Sequence, residues 1–147
     1  MYAIGSDHAG YEMRGIIKEY LESKGETVKD FGTFDSTKSN YPEIAETVAN
    51  SVASGEAERA VLICGTGLGM SIAANKVNGV RAACVSDPFS ARMSKIHNNA
   101  NVLCFGARVV GIELAKMIVD EWYNAEFEEG GRHSVRVDMI MDIETRN

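Results

Sequence analysis

Ala60 to Cys64 form a continuous apolar run with no polar alternation. A strand of that kind has two faces to bury, which suits the interior of a parallel sheet covered by helices on both sides. Tyr2 to Ser6, Val80 to Val85 and Asn101 to Phe105 read as further short strands, and Thr27 to Phe31 as a fifth. Between them, apolar residues recur at helical spacing. Met13, Ile16, Ile17, Tyr20 and Leu21 make one stripe that Gly25 stops. Ile44, Ala45, Val48, Ala49 and Val52 make another, with Pro42 in its first turn and Gly55 after it. A short helix is expected over Met70 to Lys76. The next begins at Pro88, capped by Ser86 or Asp87, and another covers Ile112 to Tyr123. Strands alternating with helices predict a single Rossmann-like α/β domain over residues 1–147. It has three layers, a mostly parallel five-stranded sheet and helices on both faces.

The tail from Gly130 is ambiguous. Val135, Val137, Met139, Met141 and Ile143 alternate with mostly charged residues, and a period of two argues for a strand.

Several function classes are disfavoured by composition. A net charge of -6 suits a soluble protein and gives no positive face for a phosphate backbone, so no nucleic-acid partner is expected. No apolar run approaches the ~20 residues that cross a bilayer, and no membrane partner is expected. The first strand begins at Tyr2, leaving no room for a leader before it. Cys64, Cys84 and Cys104 are odd in number and lack a C-x-x-C spacing, which disfavours disulfides and zinc. Reduced thiols point to the cytoplasm. Cys84 and Cys104, within apolar strands, are expected in the core.

In such a sheet, ligands bind beyond the carboxyl ends of the strands. Four strand ends carry polar chemistry: Asp7 and His8 after the first, Cys64 and the turn Gly65-Thr66-Gly67-Leu68-Gly69 after the third, Ser86 and Asp87 after the fourth, Gly106 and Arg108 after the fifth. The glycine turn lets backbone amides approach an anion. It lacks both the Walker ending and dinucleotide spacing, and taken alone it is equally well a tight turn without a ligand. Cys64, placed before those amides and a helix start, suits a sulfur anion acting as base or nucleophile, although most free cysteines are inert core residues. His97 ends the helix from Pro88; it either favours that helix's dipole or transfers protons near neutral pH. Arg108, Arg132 and Arg136 are phosphate-clamp candidates among arginines that are more often simply solvated.

Five segments stand out: GSDHAG at 5–10, ICGTGLGMSIAANK at 63–76, RA at 81–82, SDPFSARMSKIHNNANVLCFGARVVG at 86–111, and GGRH followed by Arg136; CGTG with SIAANK and HNNANVL with FGARVVG are highly specific in combination. Together they resemble the sugar-phosphate isomerase family that holds the B-type ribose-5-phosphate isomerases and the galactose-6-phosphate isomerase subunits. The resemblance runs nearly end to end. It implies reversible aldose–ketose isomerisation of ribose 5-phosphate and ribulose 5-phosphate through a cis-enediolate, with no metal or organic cofactor. It implies Cys64 as base, Thr66 assisting proton handling on the oxygens, and His97 opening the sugar ring. Gly65, Thr66, Gly67, Leu68 and Gly69 would supply turn amides to the enediolate. Asp7, Tyr41 and Asn98 would contact the sugar, and His8, Arg108, Arg132 and Arg136 the phosphate. Some relatives take a glutamate base from the helix after the turn; Ser71 to Asn75 offer no carboxylate, which favours Cys64. The resemblance further implies a homodimer or homotetramer with shared sites, and a helical tail, against the period-two pattern. A six-carbon sugar phosphate remains an alternative substrate. A non-catalytic sugar-phosphate sensor and a flavodoxin-like nucleotide module are weaker alternatives. His133 receives no role.

Overall fold

The computed structural model describes residues 1–37 and 39–147. Five strands form the sheet: β1 (Tyr2–Ser6), β2 (Val28–Asp30), β3 (Arg59–Cys64), β4 (Ala82–Cys84) and β5 (Val102–Gly106). All pairings are parallel, in the order β2-β1-β3-β5-β4. The chain winds outward from β1 in one direction and from β3 in the other, so the strand order reverses between them. In open sheets of this kind, ligands bind at such a switch point, beyond the carboxyl ends of the strands.

Side chains alternate across each strand and build two cores. Val61 and Ile63 of β3 join Ile4, Leu103 and Phe105 beneath α1 (Tyr11–Ser23), α4 (Pro88–Asn98) and α5 (Ile112–Asn124). Ala60, Leu62 and Cys64 face the other way, against α2 (Tyr41–Ala53) and α3 (Leu68–Ala74). Trp122 is fully buried in the first core, and its indole N–H donates to Ala100 O at 3.1 Å. Burying a large aromatic with its polar edge satisfied contributes more than area alone.

Asp87, not Ser86, caps α4: its Oδ1 accepts from Ser90 N at 2.7 Å. At the sheet edge, Asn75 completes β4 with its side chain. It accepts from Ala82 N at 2.8 Å and donates to Ala82 O at 2.9 Å, occupying groups that a foreign strand could otherwise pair with.

The tail is a helix, α6 (Arg132–Glu144), so the period-two pattern misleads. On a helix, Val135, Met139 and Ile143 fall four apart on one face, while Val137 and Met141 fall on another. Val137 is buried, and Met141 Sδ accepts from Arg81 Nη1 at 3.2 Å. Val135, Met139 and Ile143 are exposed, at 61%, 62% and 48%. Two apolar faces on one helix produce the alternation that imitates a strand.

Cys104 is in the core as expected, and complete burial pushes its thiol pKa up. Cys84 is not. It ends the short edge strand β4, where no further strand covers it, and it is exposed. Its Sγ lies 3.7 Å from Thr66 O, beneath the glycine turn.

No helix among the described residues is long and apolar enough to cross a membrane.

Candidate active site

At the carboxyl end of β3, Cys64 is buried and aims its sulfur back under the turn that follows, where Gly67 N–H donates to Sγ at 3.1 Å. The turn can close this tightly because Gly67 adopts φ 81°. A Cβ there would stand 2.8 Å from the Phe105 backbone and 3.0 Å from Cys84 Sγ. Gly106, opposite Cys64 in register, supports the turn from beneath: a Cβ would fall 2.5 Å from Thr66 Cα. The turn then enters α3, with Leu68 exposed at its start.

Other side chains converge on this rim. Asp7 is buried after β1, and its Oδ1 accepts from Ala9 N at 3.0 Å and Gly10 N at 3.2 Å. It therefore caps the short turn of 3-10 helix at His8–Gly10 rather than α1 itself. His8 is fixed by a reciprocal pair with Ser39: its amide donates to Ser39 Oγ at 3.1 Å, and Ser39 N donates to its Nδ1 at 3.4 Å. The Tyr41 ring lies against Gly69, where a Cβ would come within 2.7 Å of it. Arg108 N donates to Gly65 O at 3.0 Å, and the Arg108 guanidinium borders Gly65. Buried Arg14 ties the loop behind them together through Ser6 Oγ, Asp30 and Thr33 O.

His97, Asn98, Arg132 and Arg136 lie elsewhere. α4 starts beyond the carboxyl end of β4 and runs back for 11 residues, about 16 Å. His97 and Asn98 therefore end at the amino rim, beside the start of β5. There the His97 ring stacks on His133, with centroids 4.3 Å apart and planes 20° from parallel. This brings the first two turns of α6, with Arg132 and Arg136, to the same end. Partial desolvation, then His97 and the two arginines, hold the His133 pKa below the usual imidazole range. A cavity of about 660 Å³ opens here between α3, β4 and α6, lined in part by Lys76, Arg81, Asn98 and Glu144.

The residues expected at the site thus fall into two groups at opposite rims of one sheet. Ten of the fourteen—Asp7, His8, Tyr41, Cys64 to Gly69 and Arg108—gather at the carboxyl rim, and the other four at the amino rim. Strand-end reasoning singled out every member of the first group except Tyr41, which only the family resemblance named; each of the others follows a strand or lies in the glycine turn. It could not place His97, which ends a helix. Ser39 carried no sequence signal, and the stacked His133, although inside the GGRH segment, was given no role. Among the described residues, no group of three or more His, Cys, Asp or Glu side chains is placed to hold a metal ion.

Residues 2–140 match the Ribose/Galactose Isomerase family. The chain belongs to this family. It is 52% identical over 144 residues to ribose-5-phosphate isomerase B of Escherichia coli, covering 98% of this chain and 96% of that one. It is 49% identical to D-erythrulose-4-phosphate isomerase of Pectobacterium atrosepticum, covering 88% and 86%. Among solved structures, ribose-5-phosphate isomerase B of Clostridium thermocellum superposes with a TM-score of 0.96 at 51% identity, covering 99% and 97%. The protein is accordingly a sugar-phosphate isomerase with the Rossmann-like fold of that family.

Proposed function

We propose that the protein interconverts ribose 5-phosphate and ribulose 5-phosphate, with Cys64 as the base. The observation that carries this reading is the Cys64 sulfur, seated at the carboxyl rim under the Gly67 amide. In the aldose direction, the sulfur anion takes the hydrogen from C2. The C2–H electrons form a C1–C2 double bond, and the C1 oxygen becomes negative. The turn amides face that oxygen as an oxyanion hole. Thr66, exposed at the turn, passes the O2 proton to O1. Cys64 then returns its proton to C1, leaving the ketone at C2. A single base on one face of a cis-enediolate balances every atom, and the reaction's proton book closes without a redox partner.

Asp7 offers its second carboxylate oxygen to a sugar hydroxyl, since Oδ1 already holds two amides. Tyr41 and Asn98 flank the sugar chain, and His97 opens the furanose ring. His8, Arg108, Arg132 and Arg136 hold the phosphate. Because the two groups lie at opposite rims, this assignment requires two copies of the chain. A two-fold dimer sets the carboxyl rim of one protomer against the amino rim of its partner, twice over. The exposed stripe of Val135, Met139 and Ile143, with Leu68 and Ile72 on α3, supplies apolar surface for that contact.

The identity to a D-erythrulose-4-phosphate isomerase favours a second reading, a four-carbon substrate handled by the same chemistry. Side-by-side assays of EDTA-treated protein on ribose 5-phosphate, erythrose 4-phosphate and allose 6-phosphate decide. Preference for ribose 5-phosphate supports the proposal. Preference for either other sugar keeps the mechanism and replaces the substrate, and silence on all three removes the enzymatic reading of Cys64.

A further inference from the structure

Lys95 is 8% exposed, one helical turn before the end of α4. Its Nζ donates to Asn99 Oδ1 at 2.6 Å. Asn99 is the one non-glycine residue with positive φ among the described residues, at φ 47° and ψ 44°. A residue held in that region reverses the chain abruptly, and asparagine tolerates it better than most. The reversal is anchored on every side. Asn99 N donates to Lys95 O at 3.1 Å and Ala100 N to Ser94 O at 2.9 Å. Arg81 Nε donates to Asn99 O at 3.0 Å, and Trp122 Nε1 to Ala100 O. Arg81 also reaches α6 through Met141, and its own amide is held by Asn101 Oδ1. His97 and Asn98 immediately precede this knot.

We propose that Lys95, acting through Asn99, is a positioning residue for the ring-opening step: it locks the left-handed reversal that aims His97. This rests on the isomerase reading above, in which His97 opens the ring. Hydrogen bonding from a buried ammonium to one amide oxygen is a directional restraint that simple packing does not require. A lysine in the last helical turn also suits the helix dipole, but the dipole requires neither burial nor a contact with the Asn99 side chain. Burial, then the neighbouring Arg59 and Arg81, pull the Lys95 pKa down to about 8, with Glu58 opposing, so the charge is held against local electrostatics.

The test separates ring opening from enediolate chemistry. Ribulose 5-phosphate cannot close a five-membered ring, because its O5 carries the phosphate. Exchange of its C1 hydrogen with solvent deuterium therefore needs Cys64 but no ring opening. Lys95→Met and Asn99→Gly, the latter keeping the reversal accessible while removing the acceptor, are expected to lower kcat/KM for ribose 5-phosphate about 10-fold. Exchange on ribulose 5-phosphate should stay within about 2-fold of wild type, and Lys95→Arg should restore most of the loss. The His97 imidazole resonances of the unliganded protein should shift in Lys95→Met and return in Lys95→Arg. Equal losses in both assays, or none in either with unmoved His97 resonances, would overturn the proposal. A wild-type protein that neither isomerises nor exchanges would instead overturn the isomerase reading, and the proposal with it.

Discussion

Gly67→Ala isolates the geometry on which the catalytic reading rests. Two penalties add. Placing an alanine at φ 81° costs about 1 kcal/mol relative to glycine. The new Cβ would also meet the Phe105 backbone at 2.8 Å and Cys84 Sγ at 3.0 Å. Backbone in a central strand cannot step aside as a flexible side chain can, and overpacking of this kind costs about 1–3 kcal/mol. The sum, roughly 2–4 kcal/mol, lies below the stability of a typical domain, so the variant should fold. For a chain of this size it should melt roughly 5–15 °C lower. The turn must lift to relieve the contacts, which withdraws the Gly67 amide from Cys64 Sγ. Turnover should therefore fall on the order of 10²-fold. Gly65→Ala is the matched control. Its Cβ meets the Arg108 guanidinium at 3.4 Å, a group at the end of a mobile side chain. Stability should change by less than about 0.5 kcal/mol, while KM rises as Arg108 is displaced. Thermal melts at equal protein concentration and steady-state kinetics on both variants read this out. A Gly67→Ala protein that melts with wild type and keeps its turnover would refute the reasoning.

Other expectations follow from single features. Cys64→Ala should reduce turnover to background while a substrate analogue still binds with near wild-type affinity, because the base acts only in the transition state; calorimetry checks the binding half. Lys95 should make stability depend on pH. Its pKa is lowered on folding from 10.5 to about 8, so the unfolded chain binds more protons between those values and stability rises with pH across that window. Lys95→Met lacks the gain, and wild type should advance on it by up to about 3 kcal/mol between pH 7 and pH 10.5 in denaturant titrations. A constant difference across that range would show that the ammonium is not penalised. Met139→Glu puts a charge into the exposed stripe of α6 and should weaken self-association, so activity falls on dilution; sedimentation at matched concentrations reports whether it does.

The sheet was legible because its central strand, Ala60 to Cys64, has no polar face to expose, and the carboxyl-rim residues other than Tyr41 follow directly from strand ends. Elements whose neighbours come from far away in the chain were harder. Cys84 looks apolar-embedded in sequence, yet strand order puts it on the edge. The apolar residues of α6 alternate because two opposite faces are apolar, one covered by this chain and one left open. Here the family resemblance read correctly what periodicity could not. His97 was recognisable by its neighbours in sequence, but its remoteness from Cys64 is a property of the path of α4. Nothing in the sequence marks Lys95 as buried, because its burial comes from how the end of α4 is packed.

The most direct test of the split site mixes two inactive proteins. Cys64→Ala and His97→Asn proteins, each expected to have little or no isomerase activity, are unfolded together, refolded, and assayed on ribose 5-phosphate. A mixed dimer carries one site with both lesions and one with neither. Random reassortment should therefore restore about a quarter of wild-type activity. That recovery is the result predicted here. No recovery, with mixed dimers verified by mass spectrometry, would mean that Cys64 and His97 do not work together across subunits.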